Sequence, residues 1–330
     1  MRALLATLAT LALVAGGGGC GGSDNTSNVE EQAAPAPAPE PESPVEVIDV
    51  GAAPAGLAIS DGTVWVVRNQ GDTVVRLDTQ SGEVVGEPIP AGNGALCAAV
   101  DEGSVWVANM YDDTVTRIDS RSNRVVGKPI PVGDQPMAIA AGEGSVWVFN
   151  ALDGTVTRID AKTGKVLSTS PRVVGRAVGN PDFAGIAAGD GSVWVVSPSE
   201  GTVVRLDAES NRPKGKPIAV GAGPTGITVA EGTVWVANPD AGTVTRIDAR
   251  TGELVGQPIA VGGQPVAVAA GDGAAWIADR AGAVTRIDAG SEGPAGEPIP
   301  VEGSPMSLAV GDGAVWVANP FNSTVARIGT

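Results

Sequence analysis

The chain contains no histidine. No imidazole is therefore present to ligate a metal, to act as a general base, or to switch charge near neutral pH. Cysteine is nearly absent too. Cys20 lies at the end of the leader and Cys97 lies alone inside the main body, so no structural disulfide framework exists. Lysine is scarce, and Lys plus Arg number 21 against 37 Asp plus Glu, for a net charge of −16. An acidic chain without a basic stripe repels phosphate backbones, which argues against nucleic acid as a partner. Aromatic residues make up 3% of the chain, with one tyrosine and three phenylalanines. No serine, cysteine or lysine stands in a recognisable nucleophile motif.

What the chain does have is repetition. All seven tryptophans (Trp65, Trp106, Trp147, Trp194, Trp235, Trp276 and Trp316) sit in close copies of the stretch Gly-Ser-Val-Trp-Val-Ala-Asn at 103–109. The interval between them is nearly constant, with one longer gap before Trp194. A fixed period of this length marks a repeat architecture. Aligned on the tryptophan, each copy opens with a short alternating segment. The residue nine before the tryptophan is small (Gly56, Cys97, Ala138, Gly185, Gly226, Ala267, Ser307), and its neighbour is mostly branched (Leu57, Ile139, Ile186, Ile227). Such alternation reads as a strand. An acid-glycine pair follows, from Asp61-Gly62 to Asp312-Gly313, where a glycine can supply the positive φ of a tight hairpin. Then come the Val-Trp-Val strand, a polar loop, a Thr-Val-x-Arg-Ile-Asp strand, a Thr-Gly or Ser-Asn turn, and a fourth strand such as Val125 to Val132.

Four antiparallel strands in each of seven copies predict an all-β fold, a seven-bladed β-propeller. The last copy stops at Thr330 without a fourth strand, and residues 45–50 form a strand that belongs to no earlier copy. The N-terminal strand is therefore predicted to complete the last blade and close the ring, making residues 45–330 one domain. In that setting the tryptophans are packing anchors between blades. Cys97 is one of seven small inner-strand residues, inert because apolar burial raises a thiol pKa. The repeated arginines (Arg76, Arg117, Arg158, Arg205, Arg246, Arg286, Arg327) are expected to pair with carboxylates in an ion-pair belt. A ring of acids binding a cation is the sharper alternative.

Upstream, Arg2 and the apolar run Ala3–Ala15 read as an export signal over residues 1–19, too short to span a bilayer. Cys20 follows four glycines, which resembles the cleavage and lipidation site of bacterial lipoproteins; the alternative is ordinary secretion with an incidental cysteine. Residues 20–44 then form a lipidated cysteine and a disordered Pro/Ala/Glu-rich tether. Its stretch 33–44 would extend roughly 40 Å at ~3.1 Å per residue. This places the domain outside the cell membrane or in the periplasm, held by a lipid anchor alone.

Function is sought where the copies disagree. The loops after the tryptophan strand and the links between blades emerge on one face, and the rare residues gather there. Candidate ligand-binding residues are Arg68, Met110, Tyr111, Phe149, Arg172, Arg176, Phe183, Arg280 and Phe321. Bulky and cationic residues on one end of an acidic, small-residue scaffold suit a binding surface. The bland explanation is that loop ends vary more. The Asn common to four loops (Asn109, Asn150, Asn238, Asn319) is read as a loop cap.

The pattern P-x-G-I-A-x-x-x-G-x-V-W-V-A-N with T-V-x-R-I-D and a Thr-Gly turn resembles the YncE-like and streptogramin lyase-like (virginiamycin B lyase-like) propellers over residues 45–330. For fold the resemblance implies a seven-bladed propeller. Streptogramin lyases open a cyclic depsipeptide by elimination with a histidine base and a divalent metal, and this chain has no histidine. The leading expectation is therefore a non-enzymatic, monomeric binding module for a protein, a cell-envelope component or a small ligand, without metal or cofactor. The alternative is a metal-assisted lyase or hydrolase using carboxylates such as Asp112, Asp113 and Asp279.

Overall fold

The computed structural model describes residues 45–101, 103–175 and 185–330. The leader, Cys20 and the tether lie outside the described residues, as do Arg176 and Phe183. The described chain forms seven antiparallel sheets in succession, a seven-bladed β-propeller. Numbered along the chain, blades 1 to 6 begin at inner strands Pro54–Ser60, Ala95–Asp101, Pro136–Gly142, Ile186–Gly189, Ile227–Ala230 and Pro265–Gly271. Blade 7 holds Ser307–Gly311, Ala314–Asn319 and Thr324–Gly329, and its fourth strand is Val45–Asp49. Val45 pairs with Ile328 and Asp49 with Thr324, so the N-terminal strand closes the ring as the sequence predicts.

The described acid-glycine pairs form the hairpins between first and second strands. Both residues take positive φ, for example Asp272 at 53° and Gly273 at 75°. That is the type I′ geometry whose twist matches the flanking strands. The acid thus shares the left-handed conformation that the sequence reading reserves for the glycine.

The core is divided among the interfaces between blades. Trp65, Val67 and Val74 of blade 1 cluster with Val105, Val107 and Ile118 of blade 2. Trp106 and Ala108 of blade 2 cluster in turn with Val146, Val148 and Ile159 of blade 3. Around the ring to blade 7, Trp316 meets Val64, Val66 and Leu77 of blade 1. Every tryptophan is buried, so the anchor role holds. The small inner-strand column has an equally plain cause. A Cβ on Gly226 would sit 2.9 Å from Ala267 Cα, and one on Gly56 would sit 2.6 Å from the Leu96 carbonyl oxygen. Neighbouring inner strands approach too closely for a side chain there.

The fourth strand is shorter than the sequence predicts. In blade 2 it breaks into Arg124–Val125 and Ile130–Pro131. Gly127, at φ 72°, bends the chain between them. Pro129 has no N–H to continue the ladder.

The ion-pair belt is corrected. Strand register sets each repeated arginine directly opposite its blade's tryptophan, as with Arg117 and Trp106. In six blades the guanidinium lies over the indole ring, from 4.9 Å (Arg117 on Trp106, Arg205 on Trp194) to 5.8 Å (Arg246 on Trp235). The guanidinium also donates to backbone carbonyls of the next blade, Arg117 to Lys162 O (3.1 Å) and Arg158 to Glu209 O (2.7 Å). Carboxylate pairing remains at Arg286 with Asp288 (2.7 Å) and Arg327 with Glu46 (3.3 Å). Other strand-three aspartates fold back on their own turns. Asp119 accepts the Ser122 hydroxyl and N–H, and Asp160 accepts those of Thr163. These bonds hold both carboxyls below the usual aspartate range, because they favour the charged form. A local turn bond costs less chain entropy than a bridge between two long side chains, which explains the preference.

Candidate functional site

Two sets of connections share one end of the blades: the loops from second to third strand, and the links from one blade to the next. In blades 1, 2 and 6 the last residue of the second strand ties the two together. Asn109 donates from Nδ2 to Thr114 and Thr116 Oγ1 (3.0 and 2.9 Å), while its Oδ1 accepts the Gly92 N–H of the preceding link (3.0 Å). Asn150 makes the same two threonine bonds. All four asparagines of this column are buried; Asn238 bonds likewise to Thr243 and Thr245 Oγ1 (3.3 and 3.0 Å), so three of the four act as caps, whereas Asn319 makes no side-chain hydrogen bond. In blade 1 the position is Arg68. Its Nε and Nη2 donate to Thr73 Oγ1 (3.0 and 2.8 Å) and its Nη1 to the Val50 carbonyl (3.2 Å). Arg68 therefore does in a longer reach what asparagine does elsewhere, and its donors serve the scaffold.

The loop carboxylates are similarly engaged. Asp112 accepts the Asn93 N–H (2.8 Å), and Asp113 accepts that of Gln135 (2.8 Å). Asp279 accepts from the N–H groups of both Gln264 and Ala281. Among the described residues no three acids or cysteines converge in a way that could hold a metal ion.

The remaining candidates divide sharply by exposure. Phe149 is a correction: it is 2% exposed, in strand Ser145–Asn150, packed with Trp147 and Trp194 in a blade interface. Every residue of that strand is buried, because neighbouring blades cover both of its faces. Met110 is half-buried against the same cluster. Tyr111 is 63% exposed and Phe321 is 81% exposed, in equivalent loops of blades 2 and 7. Among the described residues these are the exposed aromatics; the tryptophans and Phe149 are all buried. Arg172 and Arg280 are exposed at the same end.

The axis of the propeller holds a cavity of roughly 400 Å3 lined by the inner strands. Near the loop face its wall includes Leu96, Met137, Thr225, Val266 and Met306. None of the candidates taken from the sequence belongs to this column, ten residues before each tryptophan. A signal for it exists: it stands between the small column and the link, at the start of each inner strand. Cys97 lies in the same wall, with its thiol donating to the Met137 carbonyl (3.3 Å). Burial pushes that thiol up to about 12, which disfavours the thiolate that a nucleophile would need.

The family of the outer membrane protein assembly factor BamB matches over residues 152–292. No curated protein matches the chain. Among solved structures, a streptogramin B lyase is similar at 19% identity and a TM-score of 0.72, covering 86% of this chain and 96% of that one. A catalytically inactive histidine-to-alanine variant of virginiamycin B lyase from Staphylococcus aureus, with quinupristin, is similar at 19% identity and a TM-score of 0.72, covering 87% and 99%. Hydrazine synthase of Kuenenia stuttgartiensis is similar at 16% identity and a TM-score of 0.71, covering 84% and 96%. At these identities the likeness establishes the fold alone: this chain is a seven-bladed β-propeller.

Proposed function

We propose that the protein is an exported, lipid-anchored binding module, related to YncE-like propellers, that takes its ligand on the loop face. One observation carries the reading. The scaffold buries its tryptophans and Phe149, yet holds Tyr111 and Phe321 out in solvent in equivalent loops of one face. An exposed aromatic gains stability only when something covers it, so paired exposure at one end marks a contact surface. The apolar end of the axial cavity lies at the same face, and Arg172 and Arg280 add positive charge to it. An apolar ligand or partner segment with an acidic group fits this chemistry.

No observation favours the enzymatic alternative. The chain lacks the histidine whose loss inactivates the virginiamycin B lyase variant, and Asp112, Asp113 and Asp279 serve as backbone acceptors. The export signal and Cys20 support an extracytoplasmic position, as does the match to a family named for outer membrane assembly. Among the described residues no helix is long and apolar enough to cross a membrane.

Site-specific photo-crosslinking in cells tests the proposal. Tyr111→p-benzoylphenylalanine and Phe321→p-benzoylphenylalanine should each capture a discrete adduct, and Glu231→p-benzoylphenylalanine, on the opposite end of the blades, should not. Absence of adducts at both loop positions would refute the loop-face assignment.

A further inference from the structure

The outer edge of the propeller is electrically lopsided. In blade 2 the span from the third-strand aspartate through the outer strand, 119–130, carries Arg121, Arg124 and Lys128 against Asp119, a net +2. The same span of blade 3, 160–171, carries Lys162 and Lys165 against Asp160, a net +1. In blade 4, 207–218, Arg212, Lys214 and Lys216 stand against Asp207 and Glu209, again a net +1. All five lysines of the chain fall in these three spans. The matching spans of blades 1 and 6, 78–89 and 288–299, hold three acids each and no base. The outer strand of blade 7, Val45–Asp49, adds two more acids.

The three basic spans form one continuous surface. Arg117 of blade 2 bonds to the Lys162 carbonyl of blade 3, and Arg158 of blade 3 bonds to the Glu209 carbonyl of blade 4. Asn211 of blade 4 reaches back to Val156 O and Ser168 Oγ of blade 3 (3.0 and 3.3 Å). The cations of these spans are exposed. The aspartates among them are held by turn donors, and the nearest ion pair, Lys214 with Asp207, is a long 4.0 Å. Between the cations stand bare apolar side chains: Val125 and Val126 on blade 2, and Val166 and Leu167 on blade 3, the last 51% exposed. Val84 and Val85 of blade 1 are bare in the same way, but only acids flank them. Charge is thus what sets blades 2 to 4 apart.

We propose that this edge of blades 2 to 4 docks on an anionic phospholipid surface, so that the tethered propeller lies against its membrane with a fixed orientation. Cations interleaved with medium-sized apolar side chains suit a headgroup layer, where phosphates meet the charges and the valines enter the interface. The charge spreads over three blades, which a deformable lipid surface can meet at once. The axial cavity and the smaller pocket between blades 5 and 6 lie elsewhere. The outer spans of blades 5, 6, 7 and 1 are net acidic, which makes orientation selective. This inference rests on the lipid-anchor reading for its setting, yet its chemistry is separable from both the anchor and the loop face.

Vesicle co-sedimentation of the chain from residue 20 onward carrying Cys20→Ala, without export signal or lipid, tests it. Binding to vesicles containing phosphatidylglycerol should be measurable at low salt, fall steeply toward 0.5 M salt, and be absent on pure phosphatidylcholine, since exposed charge attraction is screened within about 10 Å at 0.1 M salt. Lys128→Glu/Lys165→Glu/Lys214→Glu should weaken partitioning more than tenfold. Val126→Ser/Leu167→Ser should weaken it severalfold, and Tyr111→Ser/Phe321→Ser should leave it unchanged. Unchanged partitioning of the triple charge variant would overturn the proposal. So would binding to soluble polyphosphate with none to vesicles, or concentration-dependent self-association through the basic and acidic edges. Loss of loop-face crosslinks with vesicle binding intact would remove the proposed function and leave this inference standing.

Discussion

The two ends of the propeller are made by the same strands, yet they obey different rules. At the end where first and second strands join, blade after blade repeats one arrangement: an acid-glycine turn, a buried tryptophan, and an arginine opposite it in register. At the other end the structural positions repeat but the residues filling them vary. The second-strand terminus is Arg68 in blade 1, asparagine in four blades, Ser197 in blade 4 and Asp279 in blade 6. Most of that variety still serves the scaffold, because Arg68, Asn109 and Asp279 all tie a loop to its link. The difference teaches that variability alone does not mark a site. Exposure of a residue type that the scaffold elsewhere buries marks it better, and only Tyr111 and Phe321 meet that test among the described aromatics.

Four changes would break or sharpen this contrast. The largest effect should come from deleting Val45–Asp49. The ladder edge of Thr324–Gly329 would then be bare and the ring open, and we expect loss of cooperative unfolding and aggregation by light scattering. Next, Gly226→Val should cost about 1–3 kcal/mol in urea denaturation, because its side chain would be driven into the Ala267 backbone. Arg158→Gln should cost about 1–2 kcal/mol by the same measurement. The loss comes from the indole contact and from a carbonyl left without its donor.

The smallest effect is electrostatic. Bonds from Ser122 and from Thr163 lower the pKa values of Asp119 and Asp160, and those from Ser210 lower that of Asp207. The unfolded aspartate value is about 3.9, above the folded values. Their stabilisation is therefore present at neutral pH and lost as pH falls through the folded values. Thermal midpoints should be level from about pH 7 to about 5 and drop below about 4. Asp119→Asn/Asp160→Asn/Asp207→Asn should flatten that drop.

Much of the fold is legible in the sequence because the tryptophan period and the alternation within each copy carry it. The unmatched strand before Gly51 and the missing strand at the end even specify closure. The arginine contacts are not legible in the same way. Spacing places Asp two residues beyond six of the seven arginines, but the register that sets arginine on tryptophan is a property of the hairpin and has to be worked out across two strands. At the site, rarity finds Tyr111 and Phe321. The same rule finds Phe149, which is buried, because rarity does not distinguish a residue inside a strand covered on both faces from one in the loop beyond it. Arg68 stands out as unmatched, though its role is that of the column it belongs to. The lysine distribution is plain in the sequence and gains meaning only when topology gathers three consecutive outer strands onto one edge.

The central claim is that the repeated end holds the molecule together while the exposed loop aromatics do not. Urea denaturation of two variants side by side tests it most directly. Trp106→Ala should lose about 3–5 kcal/mol, and Tyr111→Ser/Phe321→Ser should stay within about 0.5 kcal/mol per site of the parent protein. Comparable losses in the two variants would contradict the account.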